Sequence, residues 1–191
     1  MTNGAIYDSA MMNDLETVGN TQVVTGVKRN GTGAVYFDGS GDYLIASSNP
    51  SYAFGTGNYT VEFWIYINSA SGVQNLVCNN TTNGFDLYFN YSNSTTRLEL
   101  RGGANIIAFN YVPSATSWTH IALVRNGTGS GQTVLYANGV SRGTGTDATN
   151  WSITGPLVIG GIPSDTVWLN GYIDDLRITK GLARYTANFT P

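Results

Sequence analysis

The chain has 191 residues, only 11% of them charged, and a formal net charge of −3 with its nine Lys and Arg scattered. One domain is the expected count, and no field strong enough to gather nucleic acid or anionic lipid is present. Cys78 is the only cysteine, so an intrachain disulfide is excluded; next to Leu76 and Val77 it reads as a buried thiol.

Met1 leads into Thr2-Asn3-Gly4 and not into a charged, then apolar, leader, so neither a signal peptide nor a membrane-crossing stretch is expected. Asn-X-Ser/Thr triplets begin at Asn58, Asn93 and Asn150; they are expected to reflect composition more than glycosylation.

Residues 1–30 give mixed signals, with a helical turn expected over 11–15 and a strand over 22–27. Gly31-Thr32-Gly33 then turns the chain into a strand over 34–37. Two carboxylates, Asp38 and Asp42, flank a Gly-Ser-Gly turn, and a strand resumes over 43–46. The clearest strand spans 59–67. Tyr59, Val61, Phe63, Ile65 and Ile67 occupy one face, and Thr60, Glu62, Trp64 and Tyr66 the other; period two and β-branched content support it.

Further strands are expected over 74–78, 85–91, 97–101, 106–112, 118–125, 133–137 and 157–159. The turns between them include Asn83-Gly84, Asn126-Gly127 and Asn138-Gly139. Short strands at regular spacing with this turn chemistry indicate an all-β chain, a two-sheet antiparallel β-sandwich or jelly roll. Arg-Asn-Gly-Thr-Gly occurs at 29–33 and again at 125–129; unmatched flanks make this shared hairpin chemistry and not a repeat.

A last strand, 170–179, is entered through Asn170-Gly171. Alternation puts Tyr172, Asp174, Leu176 and Ile178 on one face, and Ile173, Asp175, Arg177 and Thr179 on the other. The first face is the more apolar, so Asp174 is expected to look inward. There it needs an Arg, backbone N–H groups or a metal ion.

The ordered set Phe37-Asp38-Gly39-Ser40-Gly41-Asp42-Tyr43-Leu44, Tyr59-Thr60-Val61-Glu62-Phe63-Trp64, Trp118-Thr119-His120-Ile121-Ala122-Leu123-Val124-Arg125-Asn126-Gly127, Leu135-Tyr136-Ala137-Asn138-Gly139, Pro156-Leu157-Val158-Ile159-Gly160 and Gly171-Tyr172-Ile173-Asp174-Asp175-Leu176-Arg177-Ile178 resembles the laminin G-like, concanavalin A-like jelly-roll family over about residues 30 to 180. Residues 179–191 resemble the version found in tailed-phage virion proteins. The resemblance implies two stacked antiparallel sheets, one of them concave, and a surface that in many members binds glycans or proteins, often with calcium. Residues 1–191 would form one such domain, with an N-terminal arm over 1–30 and a C-terminal tail over 181–191.

Three carboxylates, Asp38, Asp42 and Asp174, are the candidate calcium ligands, since calcium takes hard oxygen donors. The structural alternative has Asp38 and Asp42 capping their turn and Asp174 paired with Arg125 or Arg177. Trp64 and Tyr66 lie opposite the apolar face of their strand. Either they form a stacking platform for sugar rings or a loop or neighbouring subunit covers them, and the covered reading is favoured because large aromatics are more often buried. Trp151, Trp168, Tyr52, Tyr111 and Asp165 fall in expected loops, where binding concentrates; Trp168 with Asp165 is the leading rim candidate. Trp118 and His120 read as packing residues.

Enzymatic chemistry finds little footing. The chain has Glu16, Glu62 and Glu99 only, with no Glu-X-Asp-X-Glu run of the kind seen in related glucanases. Asp174 and Asp175, being adjacent, point to opposite faces and cannot flank one bond. The expected function is a non-catalytic recognition or adhesion module of a phage particle, in a tail fibre or as capsid decoration. Its expected partners are host surface glycan, other virion proteins or its own copies, at the virion surface, with calcium as the candidate cofactor. The alternative is a structural, self-assembling or capsid-decorating protein without glycan binding.

Overall fold

A computed structural model describes residues 6, 8–9, 13–79, 84–92, 96–152 and 154–191, the side chain at position 105 excepted. In chain order the strands among the described residues are β1 (Leu15–Val18), β2 (Gln22–Val24), β3 (Ala34–Asp38), β4 (Tyr43–Ala46), β5 (Tyr59–Ile67), β6 (Val73–Cys78), β7 (Asp86–Asn90) and β8 (Arg97–Gly102). They continue with β9 (Asn105–Phe109), β10 (Trp118–Arg125), β11 (Thr133–Ala137), β12 (Val140–Gly145), β13 (Leu157–Ile159), β14 (Gly161–Ile162), β15 (Val167–Trp168) and β16 (Asn170–Lys180). One 3-10 turn, Pro50–Tyr52, follows its cap Asn49.

Two seven-stranded sheets face each other. The first has the order β1-β4-β13-β6-β7-β8-β9 and the second β12-β11-β10-β5-β16-β3-β2, with antiparallel pairing throughout. The all-β sandwich read from the sequence is therefore what the chain builds. Alternation decides which side chains fill it. Tyr59, Val61, Phe63, Ile65 and Ile67 of β5 are fully buried and meet Leu76, Leu87, Phe89 and Leu98 of the opposing sheet in one core.

The odd positions of β10 continue that core through Ile121 and Leu123 to Arg125, which is fully buried. Arg125 donates to the carbonyls of Gly55, Gly57 and Thr149 and to Asp147 Oδ2 at 3.1 Å. Asp147 also accepts from the Tyr59 hydroxyl and the Trp151 indole, each at 2.8 Å. A buried cation and anion persist here because every polar atom has a partner.

Three expectations are corrected. Leu15 opens a strand where a helical turn was expected; residues 11 and 12 lie outside the described residues. Asp174 does not face the core. The register of β16 against β5 shifts between Asp174 and Arg177, and Asp175 sits at φ 49 in a bulge. A bulge reverses parity along its strand. Ile173 before it and Ile178 after it both point inward, whereas Tyr172 and Asp174 are on the outer face opposite Tyr66 and Trp64. Trp151 is not a loop residue open to solvent; it is 4% exposed and belongs to the core.

Beyond Lys180 the chain crosses back over the outer face of the second sheet. Phe189 N–H donates to Gly139 O at 2.9 Å and Ser141 N–H to Asn188 Oδ1 at 3.0 Å. Tyr185 and Phe189 stack at 3.5 Å over Ala122, Val124 and Tyr136. Gly139 permits this approach, because a Cβ there would meet Phe189 O at 1.7 Å. The same glycine, with Asn138, forms the positive-φ turn between β11 and β12.

Candidate functional site

Where the tail stops covering the second sheet, a row of rings is left. Register pairs Tyr36 with Tyr172, Tyr172 with Tyr66, and Tyr66 with Trp118. Four strands, β3, β16, β5 and β10, thus each put one aromatic ring on a line across the sheet. Neighbouring ring centroids are 5.0, 5.6 and 5.7 Å apart. All four side chains are half-buried: they are packed edge to edge, with part of each left to solvent. At about 4.8 Å between strands, the row is roughly 14 Å long.

Polar groups border the row. Gln22 is the register neighbour of Tyr36. Trp64, one step along β5, has the Arg29 guanidinium over its ring at 4.2 Å and the edge of His120 at 5.2 Å. So Tyr66 belongs to the open row, while Trp64 is largely covered from within the chain. Farther along, Glu62 is enclosed by the tail. Burial alone would raise its carboxyl, but hydrogen bonds from His120 and Tyr185 and the Arg184 charge hold it below the ordinary glutamate range.

The candidate calcium carboxylates are not gathered. Asp42 is fully buried and accepts the N–H groups of Asp38 and Asn20; burial still raises it above the ordinary aspartate value. Asp38 accepts from Ser40 N–H at 2.7 Å. These two cap the Gly-Ser-Gly turn. Asp174 lies at the other end of the β3–β16 pairing, about 13 Å along the strand by its rise per residue. It accepts the N–H groups of Arg29 and Asn30 at 3.0 and 2.9 Å. Its expected arginines are engaged elsewhere, Arg125 with Asp147 and Arg177 with Glu62. No group of three or more His, Cys, Asp or Glu side chains is placed to hold a metal among the described residues.

The rim candidates lie in a separate two-stranded hairpin, β14–β15, on the other side of the sandwich. Trp168 is a β15 residue whose half-buried ring stacks on Tyr43 at 5.9 Å. Asp165 caps the β14–β15 turn and is exposed. The hairpin covers Cys78 and Val158 of the first sheet, and the Cys78 thiol is buried against Gly161 O.

Beside this hairpin, the outer face of β6–β8 carries a polar array that sequence spacing does not show. Glu99 is bonded by Arg97, Tyr88 and Asn90, and Asp86 by Arg101 and Asn75. Their environments diverge. Burial raises Asp86 to about 6 against the pull of Arg101 and Asn75. Glu99 is held below its ordinary range by Tyr88 and Arg97, which together outweigh its own burial. The two carboxylates are diagonal neighbours across β7 and β8, yet their side chains are 11% and 3% exposed beneath the arginines.

Two stacked antiparallel sheets with an open outer face define a lectin-type jelly-roll sandwich. Residues 38–183 match the family model of the concanavalin A-like lectin/glucanases superfamily, and the chain belongs to that family. No curated protein matches it. Domain 4 of AbnA, a GH43 extracellular arabinanase from Geobacillus stearothermophilus solved with arabinotriose, superposes with a TM-score of 0.66 at 16% identity over 90% of this chain and 83% of that domain. The botulinum neurotoxin serotype D binding domain gives 0.65 at 21% identity over 90% of this chain and 44% of its own. A heptameric SAP-like pentraxin from Limulus polyphemus gives 0.57 at 18%, over 89% and 78%. The chain spans most of the arabinanase domain and less than half of the toxin fragment.

Proposed function

We propose that the protein is a non-catalytic recognition module that lays an extended glycan across the aromatic row Tyr36–Tyr172–Tyr66–Trp118. The row itself carries this reading. Planar rings present apolar faces to the C–H faces of sugars, and neighbouring strands space them at a step comparable to one pyranose residue. Gln22, Asp38 and Arg29 stand at the edges to take hydroxyl groups. The neighbour solved with arabinotriose supports the choice of ligand class. The enclosed state of Asp86 and Glu99 supports the absence of catalysis.

We place this module on a tailed-phage particle, in a tail fibre or as capsid decoration, with host surface glycan as target. Residues 179–191 support that setting through their resemblance to tailed-phage virion proteins. Mass spectrometry of purified particles from the phage encoding the chain is expected to find it; recovery only from the soluble cell fraction would sink the placement.

A glycan array with and without chelator, followed by titration of the best binder, tests the site. Tyr172→Ala and Trp118→Ala are each expected to weaken binding about tenfold, and Trp168→Ala to leave it unchanged. A flat array in both states, or loss confined to Trp168→Ala, would overturn the reading. A half-exposed aromatic row also suits a second copy or a capsid protein. Light scattering across a concentration series separates the two, because a self-associating row is expected to give a concentration-dependent mass abolished by Tyr172→Ala.

A further inference from the structure

Cations gather beside the aromatic row, although the chain as a whole is acidic at a formal −3. Most arginines are paired with carboxylates: Arg97, Arg101, Arg125, Arg177 and Arg184. Among the described residues Arg29 and Arg142 have no ion pair. Each lies over a ring instead, Arg29 over Trp64 at 4.2 Å and Arg142 over Tyr111 at 5.2 Å. Arg29 is exposed. Its backbone N–H is taken by Asp174, but no N–H of its guanidinium fork is bonded among the described residues. A stacked guanidinium is already planar and held, and its donors match a carboxylate edge to edge.

Placement ties this cation to the row. Trp64 is the next outward residue from Tyr66 along β5, and its register partner on β16 is Asp174. The Arg29 fork thus stands over the sheet about 7 Å along the strand from the rings. The following outward pair is Glu62 with Arg177. Arg177 is 57% exposed and 3.8 Å from Glu62 Oε1, whereas Arg184 is 2.7 Å from the same oxygen and the Tyr185 hydroxyl donates to the other. His120 Nε2 also faces Glu62, at 3.5 Å. On this part of the face three guanidiniums meet two carboxylates, Glu62 and Asp174. Asp174 is further occupied by the N–H groups of Arg29 and Asn30, and Asp175 accepts from the Asn30 side chain. The surplus charge is positive, and Arg29 carries it nearest the rings.

We infer that the glycan laid on the row is acidic: a carboxylate borne by one of its sugars bonds to the Arg29 fork, with Arg177 as the second cation. This rests on the row being a glycan site and names the class of glycan.

Two matched probe pairs test it by isothermal titration of the full chain. Hexagalacturonate against its methyl ester presents carboxylates along the ligand, and 3′-sialyllactose against lactose presents one at its end. At least one acid is expected to bind about tenfold more tightly than its neutral partner, with the advantage shrinking as salt is raised. Arg29→Gln is expected to bring the acid-to-neutral ratio to about one, Arg177→Gln to lower it, and Arg29→Lys to keep part of it, because the charge remains without the fork. Arg142→Gln, which removes an equal charge from another stacked arginine, is expected to leave the ratio unchanged. No binding of either acid, equal binding within both pairs, a ratio untouched by Arg29→Gln, or a ratio lowered equally by Arg142→Gln would each overturn the proposal. Tyr172→Ala separates it from the reading beneath it. Neutral binding lost in that variant without any acidic preference strikes the acidic class and leaves the row standing. An acidic preference that needs Arg29 but not Tyr172 strikes the row and leaves the carboxylate contact.

Discussion

At the scale of single residues, charge is used sparingly and mostly under cover. Arg125 is the extreme case, fully buried and bonded to three carbonyls and one carboxylate. Arg125→Met removes the cation and strands Asp147. A loss of about 3–5 kcal/mol is expected in urea unfolding; a loss below about 1 kcal/mol would show that water reaches Asp147. Asp86 makes a prediction in pH. Its carboxyl is raised from 3.8 to about 6, burial being the main cause. Between those values the folded chain keeps a proton that the unfolded chain has released, so stability falls as pH rises through the window. Asp86→Asn removes this linkage. The stability of the wild type relative to the variant is expected to drop by about 2–3 kcal/mol from roughly pH 4 to pH 6, followed by urea midpoints. A constant difference would mean that Asp86 is ionised throughout.

At the scale of elements, two features shape the outer face of the second sheet. One is the β16 bulge, which brings Tyr172 out beside Tyr66 while Ile178 still packs inward. The other is the tail. It lays Tyr185 and Phe189 on Ala122, Val124 and Tyr136 and gives Glu62 two of its partners, Arg184 and Tyr185. Ending the chain after Lys180 uncovers that apolar strip and leaves Glu62 with His120 and the exposed Arg177. A loss of about 3–5 kcal/mol is expected, and a peptide of residues 181–191 added in trans is expected to recover part of it. A truncated chain as stable as the full one would show that the tail adds nothing to the fold.

At the scale of the whole molecule, the two outer faces differ in kind. The first sheet shows a hydrogen-bonded array of acids and arginines beside a small hairpin, and the second a row of rings bordered by a docked tail. A recognition role fits the second face, because its rings are preorganised by their neighbours and lose little freedom on binding. Asp38, Asp42 and Asp174 each already accept backbone N–H groups. Chelation with EDTA is therefore expected to leave the melting temperature unchanged. A fall on chelation, reversed by calcium, would show a site that this arrangement of Asp38, Asp42 and Asp174 does not supply, since a ligand bound to the native state stabilises it by mass action.

Local pattern settled much of this protein. The strand over 59–67, its inward set from Tyr59 to Ile67, the strands over 118–125 and 133–137 and the Asn138-Gly139 turn are all readable from the sequence, because alternation and turn chemistry act between near neighbours. What only the tertiary structure decided involves residues far apart in the chain or a break in the alternation. The bulge at Asp175 reversed parity within β16 and turned Asp174 outward, which no count of alternate positions reveals. Trp151 entered the core because its indole N–H donates to Asp147, whose carboxylate is itself held by Arg125 from a distant strand. Tyr36, Tyr172, Tyr66 and Trp118 became one row, and Asp86 and Glu99 became neighbours, through the register of strands. Register is fixed by the burial of whole faces, and so it exists only once the sheets have closed on each other.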